Sequence, residues 1–329
     1  MTKADLFKES MNGRNVTVIG IGISNMPLIE YLCGAGANVT ACDKHDKEWL
    51  GENYRRCVEL GVKLKLGDGY LDDLTDDIIY KTPGMRIDVP ELAAAAGRGA
   101  HITSEMETFF ELCPSHIIAV TGSDGKTTTT TLINEMMKHA GYKTWPVGNI
   151  GRPLLSEVGN MTEDDYAVLE LSSFQLHTMK YSPEIGVITN LSPNHLDWHK
   201  DYNEYIEAKT HIFKYMTREN KLVLNADNSD CAALLPLAHV NVKMFSRKMN
   251  ASICLDGGMI VCEGEPVLDI KDIKIPGMHN VENYMAAIGA VWGLVGKDDI
   301  NYVAKNFGGV PHRIELVREL DGVKYYNSS

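Results

Sequence analysis

The sequence predicts an α/β fold made of two successive units, each a mainly parallel sheet with helices on its faces. Three observations carry that expectation. Short β-branched, apolar runs alternate with helical patterns along most of the chain. Two of these runs, Val16-Thr17-Val18-Ile19-Gly20 and Ile117-Ile118-Ala119-Val120-Thr121, each lead into a glycine-bounded loop that opens a helix. Finally, 329 residues are too many for one typical domain.

The first unit begins with the buried strand at 16–20 and the turn Gly20-Ile21-Gly22-Ile23-Ser24-Asn25, followed by a helical pattern through Leu28, Tyr31 and Leu32. A second strand, 38–42, ends at Asp43; further strands are expected near 62–66 and 77–81. The turn Thr82-Pro83-Gly84 and an alanine-rich helix at 89–98 follow, and the unit ends near residue 104. Gly20-x-Gly22 with Asp43 is similar to a dinucleotide fingerprint, in which an acidic residue closing the second strand holds a ribose. Asn25 occupies the place of the third glycine. NAD or FAD, another nucleotide and plain turn geometry therefore all remain open.

The second unit opens with a helix at 105–113 and the strand ending at Thr121. Helices are expected near 127–140, 202–216 and 280–295, and buried strands at 166–170, 185–189 and 221–225. Asp256-Gly257-Gly258 between two apolar runs signals a hairpin at 251–262. Residues 323–329 read as a strand that stops without a partner, as if the chain ended at the start of another domain. The first unit is thus Rossmann-like and the second a P-loop ATPase type of α/β domain, with residues 310–329 as a linker and first strand beyond it.

Composition narrows the function. Hydrophobic residues at 44% and charged residues at 23% suit a globular protein with a sizeable core. A formal charge of −12 argues against non-specific nucleic-acid binding, which depends on basic residues meeting phosphates. Seven scattered cysteines without a C-x-x-C pair favour reduced thiols over a disulfide framework. With no apolar signal core and no stretch able to span a bilayer, the expectation is a soluble, cytoplasmic protein without membrane insertion, taken as a monomer although the sequence does not fix its oligomeric state.

The loop Gly122-Ser123-Asp124-Gly125-Lys126-Thr127-Thr128 carries the most chemistry. Glycines let backbone N–H groups approach an anion, and the helix N-terminus adds partial positive charge. Lys126 can reach the β/γ-phosphate oxygens, and the Thr127 hydroxyl can join a Mg²⁺ shell. Val120 stands where the full Walker pattern places its first glycine. Glu170 closes a neighbouring strand, where an acidic residue either holds Mg²⁺ or simply faces water; the loop upstream favours the metal. In Asn190-Leu191-Ser192-Pro193-Asn194-His195-Leu196-Asp197-Trp198-His199, a polar cluster follows another strand, where α/β sheets bind ligands. His195 and His199 have the spacing of a zinc pair, but no third soft ligand is evident and Pro193 argues for a loop. His195 is taken as functional and His199 as structural. By spacing alone, Lys209 is a solvated helix lysine.

Taken together, these residues resemble the Mur ligase family over essentially the whole chain. The ordered motifs are Thr121–Thr128, Gly148-Asn149-Ile150-Gly151, Glu170–Leu176, Asn194-His195-Leu196-Asp197, Glu207-Ala208-Lys209, Pro276–Asn280 with Asn283, and Pro311-His312-Arg313. The resemblance implies a cytoplasmic, ATP- and Mg²⁺-dependent ligase of peptidoglycan synthesis that adds D-glutamate to UDP-N-acetylmuramoyl-L-alanine through an acyl phosphate. It implies that Ile23, Ser24, Asp43, Thr82, Pro83 and Gly84 of the first domain (1–104) bind the uridine substrate, with Asn149, Ser172 and Gln175 from the central domain (105–309). ATP would be held by Gly122 to Thr128, with Asn283 at adenine and Arg313 at the phosphates. Thr127 and Glu170 would hold a first Mg²⁺; Glu170, His195 and a CO₂-derived carbamate on Lys209 would hold a second. Catalysis would fall on Lys126, Glu170, His195 and Lys209. A sibling ligase adding L-alanine, an NAD-dependent oxidoreductase and a non-catalytic nucleotide-binding module are the alternatives.

Two departures from the family stand out. Ser328 replaces the usual Asp of an Asn-Asp-Ser-Lys stretch near the ATP ribose. The family's third domain, which binds D-glutamate, would begin where this sequence stops, so the polypeptide as written is expected not to complete ligation.

Overall fold

The computed structural model describes residues 1–22, 25–148, 154–310, 315–320 and 323–327. They form two compact units. The first comprises Met1–Ser115 with 151–163 and 178–181; the second comprises His116–Ile150, Asp164–His177 and Ser182–Ser329. The helix Glu105–Leu112 lies in the first unit by its contacts.

In the first unit, β1 (Asn15–Ile19), β2 (Asn38–Asp43), β3 (Lys63–Leu66), β4 (Ile78–Tyr80) and β5 (His101–Thr103) make one sheet in the order β3-β2-β1-β4-β5. All its pairings are parallel. Val16, Val18 and Ile19 are buried on the central strand, and the helix Met26–Gly34 buries Leu28, Ile29 and Leu32. The chain leaves β1 on one side of the sheet and returns at β4 on the other, so the switch point lies at the carboxyl end of β1. β5 is too short for its alternation to show in the sequence.

The second unit contains β6 (His116–Thr121), β7 (Thr144–Gly148), β8 (Tyr166–Glu170), β9 (Ile185–Ile188), β10 (Lys221–Asn225), β11 (Asn241–Ser246), β12 (Ile253–Asp256), β13 (Met259–Cys262) and β14 (Glu265–Asp269). Their order is β14-β13-β12-β11-β10-β9-β6-β8-β7, parallel from β7 to β12 and antiparallel beyond. β6 sits between β8 and β9, with Val120 in register with both Glu170 and Val187. That register brings the ends of three strands together beside the loop that follows β6. Underneath, the helices Lys126–His139 and Met278–Val291 close the core with Leu132, Ile133, Met136, Tyr284, Met285 and Ile288. Burial on this scale rather than intrinsic propensity supports a helix that begins with a run of threonines. Ile133→Ala is expected to destabilise this unit by about 2–5 kcal/mol, read by urea denaturation.

The expected hairpin is present as β12 and β13, joined by Gly257 and Gly258 at positive φ. One expectation fails. The terminal strand, β16 (Val323–Asn327), has a partner: it pairs antiparallel with β15 (Glu315–Leu320). The sequence reading took this stretch for linker because Glu315-Leu316-Val317-Arg318-Glu319-Leu320 carries three charges and no regular alternation. Among the described residues, no helix is long and apolar enough to cross a membrane.

Candidate functional site

In the second unit the loop after β6 is built from its glycines outward. Gly122 has φ +149° and Gly125 φ +77°, conformations that side chains disfavour. Both lie where a Cβ would collide: Gly122 against Thr189 Oγ1, and Gly125 against Asn283 Oδ1. Two loop amides are spent on shaping the loop. Ser123 N–H donates to Asn190 O at 2.9 Å and Asp124 N–H to Asn190 Oδ1 at 2.9 Å. The Ser123 hydroxyl also serves the fold: it lies 2.8 Å from Tyr205 Oη, donates to Ser192 O at 3.0 Å and accepts Ser192 N–H at 2.9 Å.

The next amides behave differently. Among the described residues, the backbone N–H groups of Gly125, Thr127 and Thr128 have no hydrogen-bond partner. They open a helix of 14 residues, Lys126–His139. Orphan amides at such an N-terminus form an anion site by the sum of their dipoles. Lys126 Nζ folds over the same loop, donating to Gly122 O at 3.1 Å and Ser123 O at 2.9 Å. A cation and free amides converge at the carboxyl ends of β6, β8 and β9. Gly125→Ala is expected to weaken nucleotide binding at least tenfold, since its Cβ would push Asn283 aside; calorimetry with ATP checks this.

Thr127 Oγ1 donates to Glu170 Oε2 at 2.7 Å, and both residues are buried. A hydroxyl and a carboxylate beside a phosphate loop are the hard oxygen donors that Mg²⁺ prefers, so these two residues fit one such ion. No group of three His, Cys, Asp or Glu side chains converges on a metal-sized point among the described residues. His195 lies apart, exposed on its loop and against the Phe174 ring at a centroid distance of 4.8 Å. His199 is structural, as expected: it is buried, with Nε2 3.0 Å from Ser173 Oγ.

Lys209 corrects the sequence reading most sharply. It is not solvated but 1% exposed. Its Nζ donates to Gly122 O at 2.8 Å and Thr121 Oγ1 at 3.2 Å, and it lies 4.8 Å from the Tyr205 ring centroid. Burial, with the Lys126 charge nearby, pulls its ammonium down to about 7, against weaker opposing pulls from Cys231, Glu170 and Asp124. Local sequence could not reveal this, because the loop that covers Lys209 comes from β6.

Asn283, expected at adenine, is buried beside the phosphate loop. Its Oδ1 accepts from Thr129 Oγ1 at 3.3 Å and its Nδ2 donates to Asn280 Oδ1 at 3.1 Å. Ser172 and Gln175 form a reciprocal cap on the short helix Ser173–Leu176, which fixes both side chains at the end of β8. Asn190, Thr189 and Tyr205 were missed as loop supports. The available signal was the polar pair Thr189-Asn190 directly after a buried strand.

In the first unit Asp43 is committed to the loop after β1. Its Oδ2 accepts Ile21 N–H at 2.7 Å, and its Oδ1 accepts His45 N–H at 2.9 Å with His45 Nδ1 at 2.8 Å. Asn25, in place of a third glycine, donates to Ile19 O at 2.9 Å and Gly20 O at 3.2 Å. Gly20 has φ +94° and faces Thr82, where an added Cβ would stand 3.1 Å from Thr82 Cβ. The turn at Thr82-Pro83-Gly84 is closed by Met85 N–H donating to Thr82 O at 3.0 Å. Ile23, Ser24, Asn149, Arg313 and Ser328 lie outside the described residues.

Comparison with known proteins agrees with this geometry. The family described as Mur ligase middle domain matches residues 120–291. A UDP-N-acetylmuramoylalanine–D-glutamate ligase of Acetivibrio thermocellus is 51% identical over 335 residues, covering 100% of this chain and 72% of that protein. One from Clostridium botulinum is 51% identical over 326 residues, with 98% and 71% covered. The crystal structure of UDP-N-acetylmuramate-alanine ligase from Thermotoga maritima aligns with TM-score 0.59 at 23% identity, over 95% of this chain and 74% of that one. The crystal structure of UDP-N-acetylmuramate:L-alanyl-gamma-D-glutamyl-meso-diaminopimelate ligase from Neisseria meningitides aligns with TM-score 0.62 at 18% identity, over 91% of this chain and 99% of that one.

Proposed function

Since the chain belongs to the Mur ligase family, whose members use ATP and Mg²⁺, we propose that it is the D-glutamate-adding ligase of peptidoglycan precursor synthesis, acting on UDP-N-acetylmuramoyl-L-alanine in the cytoplasm as a monomer. One observation carries the chemistry: the free amides of Gly125, Thr127 and Thr128, beside Lys126 and the Thr127–Glu170 oxygen pair. The two relatives at 51% identity bear the D-glutamate name, whereas the L-alanine-adding protein shares 23%. Family membership also displaces the oxidoreductase reading of Gly20-x-Gly22.

In this reading the loop amides and Lys126 hold the ATP phosphates in line with the substrate carboxylate and neutralise charge on the transferring phosphoryl group. The acyl phosphate so formed takes the D-glutamate amine, a tetrahedral intermediate follows, and phosphate leaves. Bound Mg²⁺ would screen the phosphate oxygens; Thr127 and Glu170 would hold one ion, and Glu170 with His195 and a carbamylated Lys209 a second. A neutral amine attacks CO₂ and an ammonium does not, so a lysine held near 7 suits that modification. Asp43, Thr82, Pro83 and Gly84, with Ile23 and Ser24, are assigned to the uridine diphosphate, and Ser172, Gln175 and Asn149 to the rest of that substrate. Arg313 is assigned to the ATP phosphates.

Calorimetry on the whole chain tests the reading. Both Mg-ATP and UDP-N-acetylmuramoyl-L-alanine should bind, and Lys126→Ala should abolish only the first. Tight NADH binding without a response to ATP would overturn it.

A further inference from the structure

Lys81 is a buried charged residue of the first unit that the assigned uridine site does not use. It follows β4 directly, is 2% exposed, and its backbone N–H donates to Thr103 O at 2.9 Å. Among the described residues its Nζ has no hydrogen-bond acceptor and no carboxylate at ion-pairing distance. Glu107, on the helix Glu105–Leu112, pulls on it from farther off. That carboxylate is engaged with Ser104 instead: Ser104 Oγ donates to Glu107 Oε2 at 3.2 Å and accepts Glu107 N–H at 3.2 Å. Burial outweighs the opposing pulls on both groups, so the Lys81 ammonium falls to about 8 and the Glu107 carboxyl is pushed up. A lysine kept only to neutralise Glu107 would close the distance, since buried opposite charges gain most at contact. Buried ammonium groups without a close anion are costly, and they concentrate at binding and catalytic sites.

The place of Lys81 in the sheet decides what would complete it. β4 pairs with β1 on the far side of the switch point, and α/β sheets bind ligands at the carboxyl ends of such strands. Thr82, the next residue, faces the loop after β1 at Gly20. Among the described residues the backbone N–H groups of Gly22 and Thr82 have no acceptor. Asp43, the acid of this loop, is spent on Ile21 and His45. This edge of the sheet therefore offers a cation and two amides with no anion to answer them. Such donors suit phosphate oxygens better than a base or a sugar hydroxyl.

We propose that Lys81 is a further binding residue of the first unit: its ammonium holds a phosphate oxygen of the substrate's nucleoside diphosphate, beside the amides of Gly22 and Thr82. The proposal rests on the uridine-substrate reading above. Because the charge is already largely stripped of water in the free protein, little desolvation remains to be done when the anion arrives.

Ligand-observed NMR with UDP and with uridine isolates the phosphate contribution without requiring turnover. Wild type should bind UDP more tightly than uridine. Lys81→Met, which fills similar space without the charge, should weaken UDP about tenfold to a hundredfold and leave uridine unchanged. Lys81→Gln, which keeps a polar end, should give the same selective loss. Both should bind Mg-ATP as wild type does, since that site lies in the second unit. The proposal is overturned if both variants bind UDP as wild type does, or if they weaken UDP and uridine by the same factor. A wild type that binds uridine as tightly as UDP also overturns it while sparing the uridine reading. A wild type that binds neither ligand overturns the uridine reading and the proposal together.

Discussion

Gly122→Ala is expected to remove nucleotide binding and to lower the stability of the second unit. Its φ of +149° disfavours any side chain, and the new Cβ would run into Thr189 Oγ1. Thr189 cannot step aside cheaply, because its hydroxyl donates to Asp124 O at 2.6 Å and its N–H to Thr121 O at 3.0 Å. Strained backbone costs about 1–3 kcal/mol, and forcing an atom into a packed interior costs about as much again. The Gly122 carbonyl receives both Lys126 and Lys209, so any shift of it moves two candidate catalytic side chains together. Calorimetry with Mg-ATP should show binding lost, and urea denaturation a lower midpoint. Wild-type ATP affinity in a stably folded Gly122→Ala chain would count against the assigned loop.

Lys209→Met should produce the other large effect, in opposite directions on stability and on function. Burial holds the wild-type ammonium near 7, below its ordinary value of 10.5. Between those values the unfolded chain keeps a proton that the native chain has released, so wild-type stability rises with pH across that window. The cost of burying the charge is fully present below about 7 and gone above about 10.5. One proton corresponds to a slope of at most about 1.4 kcal/mol per pH unit. Lys209→Met should flatten the curve by up to that slope and leave the protein as stable or more stable at neutral pH. Lys81, pulled down to about 8 by burial against the pull of Glu107, contributes its own slope in both proteins and cancels in the difference. Carbon-13 NMR under labelled CO₂ should show a carbamate signal in wild type that Lys209→Met lacks. Identical pH–stability curves for the two proteins would refute the buried-lysine account.

Most of the architecture was legible in the sequence because parallel strands buried on both faces read as continuous apolar runs. β1, β2, β8, β9 and β10 stand within a residue or so of where those runs lie. The strands that went unread are short or half-exposed, such as β5 and β11, or are charged without a regular alternation, such as β15. Site residues divide along a similar line. The candidate phosphate loop is legible because glycine, lysine and threonine at these offsets suit an anion, even with Val120 in place of the first Walker glycine. Asn283 is not: it stands 154 residues from Thr129, and only the packing of two helices places it beneath the loop.

By itself the sequence determined two sheet-based units, the glycine loop that opens the helix Lys126–His139, and Thr127 and Glu170 as the candidate oxygen donors beside it. These depend on local backbone freedom and on hydrophobic periodicity, which neighbouring residues encode. The tertiary structure alone decided that Lys209 is buried against the phosphate loop and that Ser123 and Asp43 are committed to shaping their own loops. Each of those outcomes depends on which strand end faces which helix, and a charged group's proton affinity is set by those surroundings rather than by its neighbours in the chain.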